Sequence, residues 1–150
     1  MSKKSVILLA CLVLVPFVIY FLWPSDESRI KKLLGEESRS IEKKDIDAVM
    51  SKVSFNYRDD YGMTYLYVKK TLKAVFKRMS NIQVESEDLK ITVKEDTATA
   101  EVGVSIIATI GAETGYVLGD AANPARLRIS LEKERAKWLV AKVEGLPYKY

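Results

Sequence analysis

Residues 6–23 (VILLACLVLVPFVIYFLW) carry neither a charge nor a strongly polar side chain, and this run constrains the chain more than any other feature. Eighteen residues at helical rise cover about 27 Å, close to the thickness of a bilayer's hydrocarbon core, so the run is expected to span a membrane. A cleaved signal peptide would have an apolar stretch of about 7–15 residues ending in small residues. Here the run is longer and ends in Phe21, Leu22, Trp23 and Pro24, which favours an uncleaved anchor. Tyr20 and Trp23 suit an interfacial aromatic belt. Leu8, Leu9, Ala10 and Cys11 resemble a lipobox, which makes a lipoprotein modified at Cys11 the outside reading; the apolar run continues well past that cysteine.

A four-residue tail with Lys3 and Lys4 predicts an N-terminus inside the cell and a C-terminal domain in the periplasm or exterior, although Arg29, Lys31 and Lys32 pull the other way. The expected layout is a basic tail and anchor at 1–24, then one domain at 25–150. Of the 24 basic residues only two precede residue 25, so the domain holds 22 basic against 20 acidic side chains, a net charge of +2. That balance gives no reason to expect nucleic acid as a partner. The chain has no His and one Cys, which excludes His-based triads, imidazole metal sites, internal disulfides and thiolate zinc clusters. No metal or cofactor is expected, and no phosphate-loop or dinucleotide fingerprint occurs.

Beyond Pro24 the pattern is helical, then extended. Ser25 as N-cap, with Asp26 and Glu27 in the first turn, opens a helix over about 26–44 whose apolar face is Ile30, Leu33, Leu34 and Ile41. Asp45 caps a short helix carrying Ile46, Val49, Met50 and Val53. A brief strand at 54–57 and a turn through Asp59–Gly62 lead to a helix over about 63–80 with Tyr65, Val68, Leu72, Val75, Phe76 and Met79 on one face. From residue 82 the period falls to two: an extended stretch bulged at 86–88, a turn at Glu95–Asp96, and a strand at 97–109 follow. After a glycine-containing loop at 110–124, with room for a short strand at Tyr116–Leu118, two further strands are expected at about 127–132 and 137–144. The expected core is Val68, Leu72, Phe76, Val102, Val104, Leu127, Ile129, Leu131 and Leu139.

Helices packed on one curved, mostly antiparallel sheet make an α+β fold. The phrases IEKKDIDAVMSKVS and FNYRDDYG, then hairpin strands ending in KWLVAKVEG, resemble the nuclear-transport-factor-2-like superfamily over residues 26–146. Lys44 to Ser51 meet its "kkDidavms" phrase, and Trp138, Leu139 and Val140 its late Trp-aliphatic strand. The resemblance implies a cone-shaped domain with a pocket between sheet and helices, and either a small apolar ligand or a protein partner, including a second copy docking through the sheet. With its single span the chain is also similar in architecture to the inner-membrane core component of type IV secretion systems.

Tyr57, Asp60, Tyr61, Tyr116 and Trp138 are the candidate pocket residues. In ketosteroid isomerase-like chemistry a carboxylate beside phenols moves a proton, so Asp60 with a pocket Tyr defines an isomerase or lyase alternative. An aspartate in a polar turn before a helix is better explained as its cap, where the dipole lowers its basicity, so no catalytic residue is assigned. Asp45 and Asp47 read as a cap and a solvent-facing acid, and Asp120 as turn chemistry. Lys69, Lys70, Lys73 and Lys77 form an unbroken basic stripe, a solvated face neutralised by Glu85, Glu87 and Asp88 or else a surface for anionic head groups.

Overall fold

The computed structural model describes residues 3–147. Helix α1 (Lys3–Leu22) is apolar on every side, has all its side chains exposed, and is long and apolar enough to cross a membrane. After Trp23 and Pro24 comes α2 (Asp26–Glu42), where the Ser25 hydroxyl accepts the Ser28 N–H at 3.2 Å as expected of an N-cap. Ile30 and Leu33 are buried beneath it. Helix α3 (Ile46–Met50) is capped by Asp45, whose Oδ1 accepts the Ala48 N–H at 3.1 Å. Helix α4 (Tyr65–Arg78) keeps its apolar stripe inward, with Phe76 buried and Val68 and Leu72 half-buried; Met79 leaves the helix in extended conformation and starts the sheet.

All five strands are antiparallel: β1 (Met79–Lys94), β2 (Thr97–Ile110), β3 (Glu113–Leu118), β4 (Ala125–Glu134) and β5 (Lys137–Glu144). Strand β2 is the spine. One edge pairs with β1 along its length, while the other is shared, its first half by β4 and its second by β3. Gly119 (φ +57) turns the chain from β3 toward β4, and a Cβ there would stand 2.7 Å from the Ala125 nitrogen, so both the conformation and the close approach need glycine. Strand β1 is bulged twice, after Ser80 and after Glu87, with Asn81 and Asp88 at positive φ. Bulges add local twist, and here they bend β1 so that the sheet wraps around the helices.

The principal core joins Ile30 and Leu33 of α2 to Met50, Val53, Tyr57, Ala98, Ala100, Leu131, Trp138 and Val140. Three expectations change. Val68, Leu72 and Ile129, expected in the core, are half-buried and line a cavity against it. Leu139 is only half-buried, because β5 turns Trp138 and Val140 inward and places Leu139 on the opposite face. Residues 54–57 are not a strand. Val53 bridges Val140 in parallel, but the Tyr57 N–H returns to the Ser54 carbonyl, and the Ser54 hydroxyl donates to Glu134 and accepts from the Asn56 N–H, closing a turn.

Candidate ligand cavity

Between the concave face of the sheet and helices α2 and α4 lies a cavity of about 500 Å³. Its sheet wall is aliphatic: Val84 of β1, Val102, Val104 and Ile106 of β2, Leu127 and Ile129 of β4, Val140 and Val143 of β5. Helix α2 contributes Leu34, Glu37, Ser38 and Ile41, α4 contributes Val68, Thr71 and Leu72, and Tyr57 and Met63 extend the wall between α3 and α4. Lys31, Gly35, Ser86 and Leu89 are its exposed lining residues, which places the mouth between α2 and the bulge in β1.

Glu37 is the one carboxyl group in this lining. Its Oε1 is buried and has no hydrogen-bond partner among the described residues, and burial pushes its pKa up from 4.5 to about 8; the Lys52 charge opposes that shift and Glu36 adds to it. At neutral pH the side chain is therefore mainly a neutral acid, carrying an O–H that can donate. Tyr57 behaves otherwise. Burial, with the Asp59 charge, raises its phenol to about 12, and its hydroxyl donates to Asp59 Oδ2 at 3.5 Å, so its ring serves as wall while its proton stays engaged. The Ser38 hydroxyl is likewise occupied, donating to the Leu34 carbonyl at 3.2 Å.

Of the candidates read from the sequence, Tyr57 lines this cavity and the other four do not. Asp60 lies on the surface, its side chain 66% exposed, and pairs with Lys142 at 2.8 Å. Tyr61 is exposed beside it, Tyr116 is exposed on β3, and Trp138 is a core residue whose indole N–H donates to Asp26 Oδ1 at 3.0 Å. The capping role expected of Asp60 belongs to its neighbour. Asp59, 5% exposed, accepts the N–H groups of Tyr61 and Met63 at 3.0 and 2.9 Å and so shapes the entry to α4, whose own N-cap, Thr64, makes no side-chain capping bond. Asp59→Ala is accordingly expected to cost about 1–3 kcal/mol in denaturant titration, by removing the buried acceptor of two part-buried donors, whereas Asp60→Asn should change stability by less than about 0.5 kcal/mol.

On α4, Lys70, Lys73 and Lys77 are exposed and Lys69 half-buried. Among the described residues no carboxylate pairs with any of them, and Asp88, one of the expected neutralising neighbours, pairs with Arg126 at 3.2 Å instead. Among the same residues no three metal-ligating side chains converge.

Glu37 was the residue missed in sequence. The apolar face of α2 runs through 30, 33, 34 and 41, and a 3.6-residue period places position 37 on that face, so an acid there was a visible break in the pattern.

No protein-family model and no curated protein matches the chain. Solved structures do. A nuclear-transport-factor-2-like protein with a cystatin-like fold from Novosphingobium aromaticivorans is similar at TM-score 0.60 and 16% identity, over 91% of this chain and 84% of that one. A nuclear-transport-factor-2-like protein from Cytophaga hutchinsonii is similar at TM-score 0.64 and 14% identity, over 80% and 96% of the two chains. A candidate scytalone dehydratase from N. aromaticivorans is similar at TM-score 0.64 and 13% identity, over 81% and 87%. The chain thus has an N-terminal apolar helix followed by the nuclear-transport-factor-2-like, cystatin-like fold; at such identities the likeness concerns fold alone.

Proposed function

We propose that this is a membrane-tethered binding protein whose domain, residues 25–150, holds a small, largely apolar molecule in the cavity without transforming it. Helix α1 tethers it to the plasma membrane with the domain outside the cytoplasm, a reading supported by span length and by Lys3 and Lys4. The observation that carries the proposal is the pairing of an aliphatic cavity of about 500 Å³ with a carboxyl group whose buried Oε1 has no hydrogen-bond partner among the described residues. Small-molecule sites typically measure about 300–1,000 Å³ and combine apolar walls with a few polar groups that fix orientation. Protonated Glu37 supplies such a group, a donor for a carbonyl, ether or hydroxyl oxygen of the ligand.

A second reading has one observation in its favour. A carboxyl with a pKa of about 8 in a dry pocket has the basicity that acid-base catalysis at neutral pH demands, so an isomerase or lyase on this fold would work through Glu37, not Asp60. The Tyr57 hydroxyl, directed at Asp59, is not free to stabilise developing charge beside it.

Titration of the purified chain with 2-naphthol, a neutral bicyclic alcohol, tests the binding reading by fluorescence. Saturable binding is expected at pH 6, weakening as pH rises through about 8, where Glu37 ionises. Glu37→Gln keeps a neutral donor and should bind at both pH values. Absence of saturable binding to folded protein overturns the proposal. Conversion of an aromatic alcohol or ketone by the wild type, lost in Glu37→Gln with binding retained, would establish the enzyme reading in its place.

A further inference from the structure

We propose that a second, basic groove, beside the point where the chain leaves α1, binds the phosphate-bearing head groups of anionic lipids in the membrane that α1 spans. The groove encloses about 650 Å³, is walled by Pro24, Arg29, Lys32, Lys52, Lys137 and Trp138, and shares no lining residue with the apolar cavity. It occupies the opposite side of α2: positions 29, 32 and 36 face it, whereas 34, 37 and 41 face the cavity.

Two independent features point to the bilayer as the source of the ligand. The first is covalent. Pro24 follows the apolar run directly and is itself part of the wall, so the groove cannot lie far from the head groups in any orientation of the domain. Arg29 and Lys32 stand about 5–9 Å of helical rise beyond Asp26, comparable to the screening length of about 8 Å at physiological salt. The second is charge. Four basic side chains face one acid in the wall, Glu36, which lies 3.6 Å from Lys52 and 4.0 Å from Lys32 and can offset one unit between them. Asp26 engages Arg29 at 3.3 Å from outside the wall, and Lys137 has no carboxylate partner among the described residues. The fold thus gathers cations from α2, from the segment after α3 and from β5 onto one concave surface, where juxtamembrane basic groups attract anionic lipid. The lysine stripe of α4 has no such covalent tie to the bilayer.

This inference rests on the membrane tether proposed above and is independent of the cavity. It is tested with the full chain in nanodiscs of phosphatidylcholine alone or with added phosphatidylglycerol, each containing a trace of head-group spin-labelled lipid. The chain has two tryptophans, so Trp23→Phe leaves Trp138 as the sole reporter of the groove. Quenching of Trp138 is expected to rise roughly twofold or more in the anionic discs, to fall back in high salt, and to be lost in Lys32→Gln/Lys137→Gln, whose substituted side chains are exposed. Equal quenching in both discs, or an unchanged rise in the double variant, overturns the proposal. So does recovery of the chain outside the disc on gel filtration, which marks failure of the tether and leaves the groove without its ligand. If quenching is equal in both discs while millimolar inorganic phosphate changes the Trp138 emission of the wild type and not that of the double variant, the groove takes free phosphate and the lipid assignment falls.

Discussion

Between pH 4.5 and 8 the protein is expected to lose up to about 5 kcal/mol of stability through Glu37 alone, and Glu37→Gln should remove that slope. Unfolded, the carboxyl loses its proton near 4.5; folded, it holds it to about 8. Across that interval the native state binds the extra proton, so stability falls as pH rises and levels off above 8. Below 4.5 both states are protonated and Glu37 contributes no slope. Neighbouring regions of the profile have other origins. Asp26, held below its usual value chiefly by the Trp138 indole N–H and then by Lys133, lends stability that disappears in strong acid, and ionisation of Tyr57 takes stability away between 10 and about 12. Urea titration of wild type and Glu37→Gln in one detergent, repeated across pH, measures the difference. Parallel profiles would show that the carboxyl is hydrated in the folded state, and would remove the donor on which the binding proposal depends. A loss of this size is a large share of an ordinary domain's stability of about 5–15 kcal/mol. The same proton also serves ligand binding, so an acceptor-bearing ligand that holds Glu37 neutral should carry the decline to pH values above 8.

Trp138→Ala should cost about 3–5 kcal/mol, the largest loss expected from a single core truncation here. The indole is 4% exposed and belongs to the main cluster with Ile30, Leu131 and Val140. It also ties β5 to the start of α2, because Asp26 Oδ1 accepts from the indole at 3.0 Å and from Lys133 Nζ at 3.1 Å. Truncation therefore opens a void and removes a neutral donor from a carboxylate that keeps its cations, Lys133 and Arg29. Trp138→Phe separates the two effects: most of the apolar surface remains, the indole N–H does not, and a loss of about 1–2 kcal/mol is expected. The Asp26 carboxyl should titrate at higher pH in both variants, since the indole bond is the largest cause of its depression. Denaturant midpoints and the Asp26 titration by NMR check the pair. A cost below about 1 kcal/mol for Trp138→Ala would mean that β5 is wrongly phased.

The sequence alone determined everything that rests on local chemistry. An uncharged run of span length specifies α1 without reference to the rest of the chain. Ser25 and Asp45 cap α2 and α3 because a short polar side chain before an apolar period has a donor to accept two or three residues on. The change of period after α4 and the bulge in β1 are equally local, the latter because charged and polar residues at 85–88 interrupt the alternation. What tertiary structure decided are choices between near-equivalent neighbours. In KWLVAKVE both parities of the strand are apolar, so only packing against α2 sends Trp138 inward and Leu139 outward. Asp59 and Asp60 are chemically alike, and which one is buried depends on how the turn docks beside Met63. The cavity and the basic groove draw residues from α2, the helical connections and the sheet, and no local pattern predicts a volume left between surfaces that meet only when the chain is folded. Glu37 stands between the two cases: the 3.6-residue period placed it on the buried face of α2, but only the curvature of the sheet left it facing empty apolar space instead of a partner.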